Sequence, residues 1–138
     1  MNVMITVKGT QTVEGESNVT ELTSEGTLEI INGLPVMTYD ESDMTGEKVK
    51  AKLSMLSDTA FEFERIGAFS TKMLIEKGVR HNCSYSTPYG EMMLGIVGRS
   101  LDNKMTESGG KVGLTYTIDV NSALLSENEI EITVKTTE

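Results

Sequence analysis

Apolar and polar residues alternate along most of this 138-residue chain, and that pattern admits few folds. In an extended backbone successive side chains point to opposite faces, so a period of two marks a strand with one covered face. The clearest run is Lys48-Val-Lys-Ala-Lys-Leu-Ser-Met55, with Val49, Ala51, Leu53 and Met55 on one face and lysines and a serine on the other. Val112, Leu114, Tyr116, Ile118 and Val120 form a second such face, Ile130, Ile132 and Val134 a third, and Val3, Ile5 and Val7 another near the start.

Further strands are expected at 19–22, 26–31, 35–40, 61–66, 72–76, 81–86 and 91–100. Turn formers separate them: Glu14-Gly-Glu16, Asn32-Gly33, Thr45-Gly46, Ser57-Asp58, Ile66-Gly67, Lys77-Gly78 and Ser108-Gly-Gly110. Asn32-Gly33 is the sharpest, because a type I′ hairpin turn needs positive φ at both central residues. Connections this short leave no room for the crossover helices of a parallel sheet, so the strands are antiparallel. Only Asn121-Ser-Ala-Leu-Leu-Ser-Glu127 reads as a helical turn. With no repeat, linker or low-complexity tract, residues 1–138 form a single domain of roughly eight to ten strands, an all-β sandwich or barrel.

One segment breaks the alternation. Met92-Met-Leu-Gly-Ile-Val97 is apolar on both faces, so its outer side needs a cover. A terminal segment or loop of the same chain would provide one; a second copy, making a homodimer, is the alternative.

Charge narrows the partners. Twelve Lys and Arg stand against 21 Asp and Glu, a net charge of −9. A field of that sign disfavours nucleic acid and anionic membranes, and leaves a cationic partner or plain solubility. No apolar run approaches the roughly 20 residues that cross a bilayer. The first residues, Met1-Asn-Val-Met-Ile-Thr-Val-Lys8, lack a basic leader with a long apolar stretch, so a cytoplasmic location is expected. On that reading Asn18-Val-Thr20 and Asn82-Cys-Ser84 are chance glycosylation sequons, and the lone Cys83 has no disulfide partner.

Signatures of chemistry are missing. There is no phosphate-binding glycine loop, no HExxH and no paired CxxC, and one histidine cannot build a multi-histidine metal site. His81 and Cys83 share a strand face, but at about 7 Å between Cβ atoms they are loosely placed for a nucleophile and its base. Asp40, Glu41 and Asp43 could hold a cation or act as paired carboxylates, but the EF-hand spacing is missing and a strand exit rich in turn formers is the preferred explanation. No cofactor is expected, and the chain reads as a non-enzyme.

Several segments, in order over nearly the whole length, carry a resemblance. They are Ile5-Thr-Val-Lys-Gly-Thr-Gln11, Tyr39-Asp-Glu-Ser42 with Met44-Thr-Gly46, and Glu76-Lys-Gly78. Tyr85-Ser-Thr-Pro-Tyr-Gly90, Tyr116-Thr-Ile-Asp119 and Ser126-Glu-Asn128 continue the series. With these the chain resembles the YwiB-like family, bacterial β-barrel proteins of unknown function with a calycin-like shape. The resemblance implies a closed barrel by analogy with lipocalins, which hold one small ligand or fill themselves with side chains. It implies no activity and no catalytic residue.

The expected function is therefore the binding of a small apolar or amphipathic molecule inside the barrel. Met55, Phe61, Phe63, Met73, Leu114 and Tyr116 would line it, and Tyr39, Arg65, Arg80, Tyr85 and Tyr116 would serve as polar anchors. The alternative is a protein–protein interaction module acting through its outer surface.

Overall fold

The computed structural model describes every residue except 43–47, 68–70, 88–89, 121–122 and 138, and the backbone alone of 41–42, 48 and 85–87. The described chain is all strand and turn. In order the strands are β1 (Asn2–Val13), β2 (Glu16–Ile31), β3 (Leu34–Ser42), β4 (Lys48–Met55) and β5 (Ala60–Ile66). They continue as β6 (Thr71–Glu76), β7 (Arg80–Thr87), β8 (Gly90–Thr106), β9 (Gly109–Val120) and β10 (Ala123–Thr136). One antiparallel sheet runs β6-β5-β4-β3-β2-β1-β10-β9-β8-β7, so chain neighbours are sheet neighbours except β6 and β7, which form its two ends, and β1 meets β10.

The sheet curls into a nearly closed barrel whose seam lies between β6 and the β7–β8 pair. There the Gly78 N–H donates to the Gly98 carbonyl at 2.9 Å, and Lys77 bridges Gly98 in parallel sense. The Cys83 thiol donates to the Lys72 carbonyl at 3.2 Å. This closeness depends on Gly98, because a Cβ there would sit 2.8 Å from the Glu76 carbonyl.

Turn chemistry sets the register as expected at two hairpins. Glu14 and Gly15 have φ of 50° and 82°, and Asn32 and Gly33 of 53° and 79°, the paired positive angles of two-residue turns. From these turns the alternation follows. On β1 Val3 and Ile5 face the core, on β9 Val112, Leu114 and Tyr116, and on β10 Ile130, Ile132 and Val134.

Three expectations need correction. The segments 19–22 and 26–31 are not two strands but parts of the unbroken β2. Residues 123–127 do not form a helical turn; they are strand, with a bulge between Leu124 and Ser126 that interrupts the two-residue period. The third concerns Met92 to Val97. Among the described residues nothing covers Met92 and Met93, which are 44% and 58% exposed. At Gly95 the outer face is covered by the Arg80 guanidinium, which lies in the space a side chain would take, and Val97 is half-buried.

Among the described residues the centre of the barrel is packed with apolar side chains. Phe61, Ile5, Met37, Leu53, Ile75, Ile96 and Leu114 are all essentially inaccessible and form one cluster with Met55, Phe63, Tyr39 and Cys83, against which Met73 packs half-buried. Residues expected to line a hollow interior instead fill it.

Candidate functional site

Packing stops short at the end of the barrel that carries the β1–β2 turn. β2 pairs with β3 only from Gly26 to Ile31, opposite Tyr39 to Leu34, while its first half pairs with β1 alone. The two strands part at Gly26. A Cβ there would fall 2.3 Å from the Thr38 carbonyl oxygen and 2.7 Å from Ile5 Cδ1, so this pinch point accepts no side chain. Beyond it the described residues of β3 pair only with β4, and the Ser24 hydroxyl reaches the Asp40 carbonyl at 3.3 Å. A lateral mouth opens between the diverging strands.

Behind the mouth lies a cavity of about 300 Å³. Its apolar wall is Val7, Phe63, Ile118 and Ile130; its polar wall is Gln11, Asn18, Thr20, Arg65, Tyr116 and Asn128, with Thr10 and Glu129 also on its lining. Strand parity explains the set. Arg65 shares the inward face of β5 with Phe61 and Phe63, but stands one step beyond the packed core and is exposed. Its guanidinium carbon lies 4.7 Å from the centre of the Phe63 ring, a cation–π contact that fixes its position.

Tyr116 enters from β9. It is buried, and burial pushes its hydroxyl up to about 12, with the nearby Arg65 charge pulling the other way. At neutral pH it is therefore a neutral group able both to donate and to accept a hydrogen bond. Opposite it on β10 stands Asn128, which donates from Nδ2 to the buried Ser126 hydroxyl at 3.0 Å. That bond satisfies one donor and orients the amide at the cavity wall. Cation, phenol and amide thus come from three strands, side by side with apolar surface. Such a wall can orient an amphipathic molecule, but it contains no paired nucleophile and base.

The other expected anchors lie elsewhere. Tyr39 is buried in the core beside the pinch point, opposite Gly26. Arg80 is on the outer face, where Nε and Nη2 donate to the two carboxylate oxygens of Asp119 at 3.0 and 2.7 Å, and Nη1 donates to Asn82. This pairing holds the guanidinium above its ordinary pKa, chiefly through the hydrogen bonds to Asp119. The backbone of Tyr85 pairs with Met92 on β7–β8; its side chain lies outside the described residues. Of the four anchors whose side chains are described, Arg65 and Tyr116 are brought together.

The two suspected chemical clusters are also placed. His81 Nε2 meets Glu76 Oε1 at 2.8 Å, whereas Cys83 bonds to Lys72, so each engages a different group of β6 across the seam. Burial pushes the Cys83 thiol up, away from the reactive thiolate. Asp40 faces outward on β3 opposite Lys50, while the Glu41 side chain and Asp43 lie outside the described residues. Among the described residues no group of three or more His, Cys, Asp or Glu could hold a metal ion.

Sequence reasoning missed Gln11, Asn18, Thr20, Ser126 and Asn128. A signal existed for two of them. Counting back by two from Ile130 reaches Asn128 and then Ser126, so the inward track of β10 turns polar just where the core ends.

A second concavity, about 400 Å³, is lined by Thr10, Thr12, Arg99, Thr115, Thr117, Glu127 and Glu129, and shares Tyr116 and Asn128 with the first. Short threonines between longer charged side chains account for it. No described helix is long and apolar enough to cross a membrane.

Comparison with known proteins bears on fold and family. The model of a family described as domain of unknown function (DUF1934) matches residues 5–132. The crystal structure of the ywiB protein from Bacillus subtilis is similar with a TM-score of 0.87, over 99% of this chain and 92% of that chain, at 20% sequence identity. A likeness at that identity shows the fold alone. No curated protein matches the sequence.

Proposed function

We propose, for a chain that belongs to the DUF1934 family, that the barrel binds one small amphipathic molecule in its lateral mouth and performs no reaction on it. The YwiB-like resemblance read from the sequence is borne out by the family and fold matches. The observation that carries the proposal is the composite wall, where Arg65, Tyr116 and Asn128 converge beside Phe63, Ile118 and Ile130. Ligand sites commonly have this make-up, mostly apolar with a few placed polar groups, and about 300 Å³ is at the lower end of their range.

On this reading Arg65 takes an anionic head group and the apolar wall takes a short chain or ring. The core below is packed with apolar side chains, so the ligand is a small metabolite held at the rim and not a long lipid threaded through the barrel. A cytoplasmic setting fits, since the single cysteine is a free, buried thiol.

Two measurements test the proposal. Native mass spectrometry of freshly purified protein should show a small co-purified mass. Titration with the amphipathic anion 8-anilinonaphthalene-1-sulfonate should give enhanced fluorescence that weakens on the order of tenfold in Arg65→Ala, as expected for one charge-assisted hydrogen bond. A bare mass together with a titration indifferent to Arg65 would remove the proposal.

A second reading, homodimerisation through the outer face near Met92 and Met93, is supported by their exposure. A concentration-dependent dimer that Met93→Glu abolishes would move the weight to it.

A further inference from the structure

The divergence that opens the mouth also leaves a strand edge bare. β2 from Ser17 to Glu25 is hydrogen-bonded to β1 on one side and has no strand on the other among the described residues. Its free groups can be assigned from the turn. In a two-residue hairpin the flanking pair, here Val13 and Glu16, exchanges hydrogen bonds, so even-numbered residues of β2 bond toward β1. The bond from the Leu28 N–H to the Met1 carbonyl, 3.0 Å, follows the same parity. Ser17, Val19, Glu21 and Thr23 therefore turn their N–H and C=O outward, along roughly 20 Å of edge, while the Glu25 carbonyl accepts from the Ser24 hydroxyl at 3.0 Å.

Proteins usually guard such an edge with lysine, proline or a bulge. Between Glu16 and Glu25 there is no Lys, Arg, Pro or Gly, and the register with β1 is unbroken. What this edge does carry is negative charge. Glu21 and Glu25 lie on the outer face, where Asp40 of β3 stands across the gap. Lys8 opposes Glu21 on β1 and Lys50 opposes Asp40 on β4, with Lys111 taking Glu131 at 3.3 Å, so Glu25 is the carboxylate here that no lysine opposes in the register. The other face of the edge presents Thr20 and a half-exposed Leu22 toward the mouth.

We infer that this edge docks an extended cationic peptide by β-strand addition. The peptide's backbone pairs with the outward groups of Ser17 to Thr23. Its Lys or Arg side chains alternate onto the side of Glu21, Glu25 and Asp40, and its apolar side chains point toward Leu22. Charge decides the occupant. A second copy of this chain would bring the same glutamates together and carries the same net charge of −9, whereas a basic strand removes the repulsion. The inference stands apart from the small-molecule reading, because it uses the backbone of β2 and the outer carboxylates, not Arg65 or Tyr116.

The test is fluorescence anisotropy with a labelled eight-residue peptide alternating lysine and valine, at low and high salt. Binding should weaken with salt, and Val19→Pro should weaken it on the order of tenfold or more, since proline removes an outward N–H while leaving the bonds to β1. Glu21→Lys/Glu25→Lys should do the same with every backbone donor kept, which covers the case of a proline variant that does not fold. Hydrogen exchange on the complex should show new protection at Val19, Glu21 and Thr23. The inference is overturned by absence of binding, the acidic edge then serving only to prevent aggregation. It is equally overturned by binding that survives both variants, by binding that Arg65→Ala alone removes, or by a dimer of this chain that Val19→Pro dissolves.

Discussion

Gly98→Ala offers the sharpest test of how this barrel is closed. The added methyl carbon would lie 2.8 Å from both the carbonyl carbon and the oxygen of Glu76 and 3.0 Å from the Lys77 nitrogen, all of them backbone atoms that cannot swing aside. Either β8 or the β6–β7 turn must move. Overpacking of this kind costs about 1–3 kcal/mol. The movement also breaks the bond from the Gly78 N–H to the Gly98 carbonyl, 2.9 Å, which adds about 1 kcal/mol. The expected loss is about 2–4 kcal/mol, a large share of the roughly 5–15 kcal/mol that holds a domain together.

The same sheet supplies a control. Gly113 has nothing within 4 Å of its ideal Cβ position and no positive φ. Gly113→Ala should therefore be neutral or stabilise by about 0.4–1 kcal/mol through the unfolded chain. Urea melts of the two variants should show opposite signs with similar slopes, and the amides of Gly78 and Val79 should exchange faster only in Gly98→Ala. If Gly98→Ala falls within about 0.5 kcal/mol of the parent, or Gly113→Ala costs as much, the seam does not hold the barrel in the way described.

Three further outcomes follow from the same geometry. Tyr116, pushed from the ordinary 10 up to about 12 by burial, keeps its proton in the folded state where the unfolded chain has lost it. Stability is then complete below pH 10 and falls by roughly 3 kcal/mol as pH rises to 12; urea melts from pH 9 to 11.5 should show this slope and Tyr116→Phe should flatten it. Cys83, buried with its thiol pushed up, should resist 5,5′-dithiobis(2-nitrobenzoate) at pH 8 and react at once in denaturant, whereas rapid labelling of the folded protein would contradict the closed seam. Glu14 occupies a left-handed turn position with φ of 50°, so Glu14→Asn should stabilise by about 0.5–1 kcal/mol in thermal melts.

The strands that could be read from the sequence are those with a core to face. Lys48 to Met55 and Gly109 to Val120 show clean alternation because one side is buried from Val49 to Met55 and from Val112 to Tyr116. β2 could not be read as one element for the opposite reason. From Glu16 to Thr23 both of its faces are exposed, so little apolar periodicity marks it, and the sequence shows only two short pieces, 19–22 and 26–31, with nothing to join them. Bulges hid two other stretches. The irregularity between Leu124 and Ser126 puts two leucines in sequence and imitates a helical turn, while that between Gly98 and Ser100 moves the inward track of β8 to Leu101. In both places the period of two is intact on either side and broken only at the bulge.

The candidate site divides along the same line. Which residues face inward was readable from parity: Arg65 is in step with Phe61 and Phe63, Tyr116 with Val112 and Leu114, and Arg80 is out of step with the buried Cys83. Arg80, chosen as an anchor for its side-chain type, could have been set aside on that count alone. Where the mouth opens was not readable, because it depends on which pair of neighbouring strands parts and at what height. That is decided at Gly26 by the close approach of β1 and β3 on either side of one residue. A glycine between Glu25 and Thr27 announces no such role in the sequence. Yet the same residue sets both features on which function is argued here, since the parting that exposes Arg65 and Tyr116 to a ligand also frees the edge of β2. A side chain at position 26 should therefore disturb the mouth and the bare edge together, whereas Arg65→Ala and Val19→Pro should each affect one and spare the other.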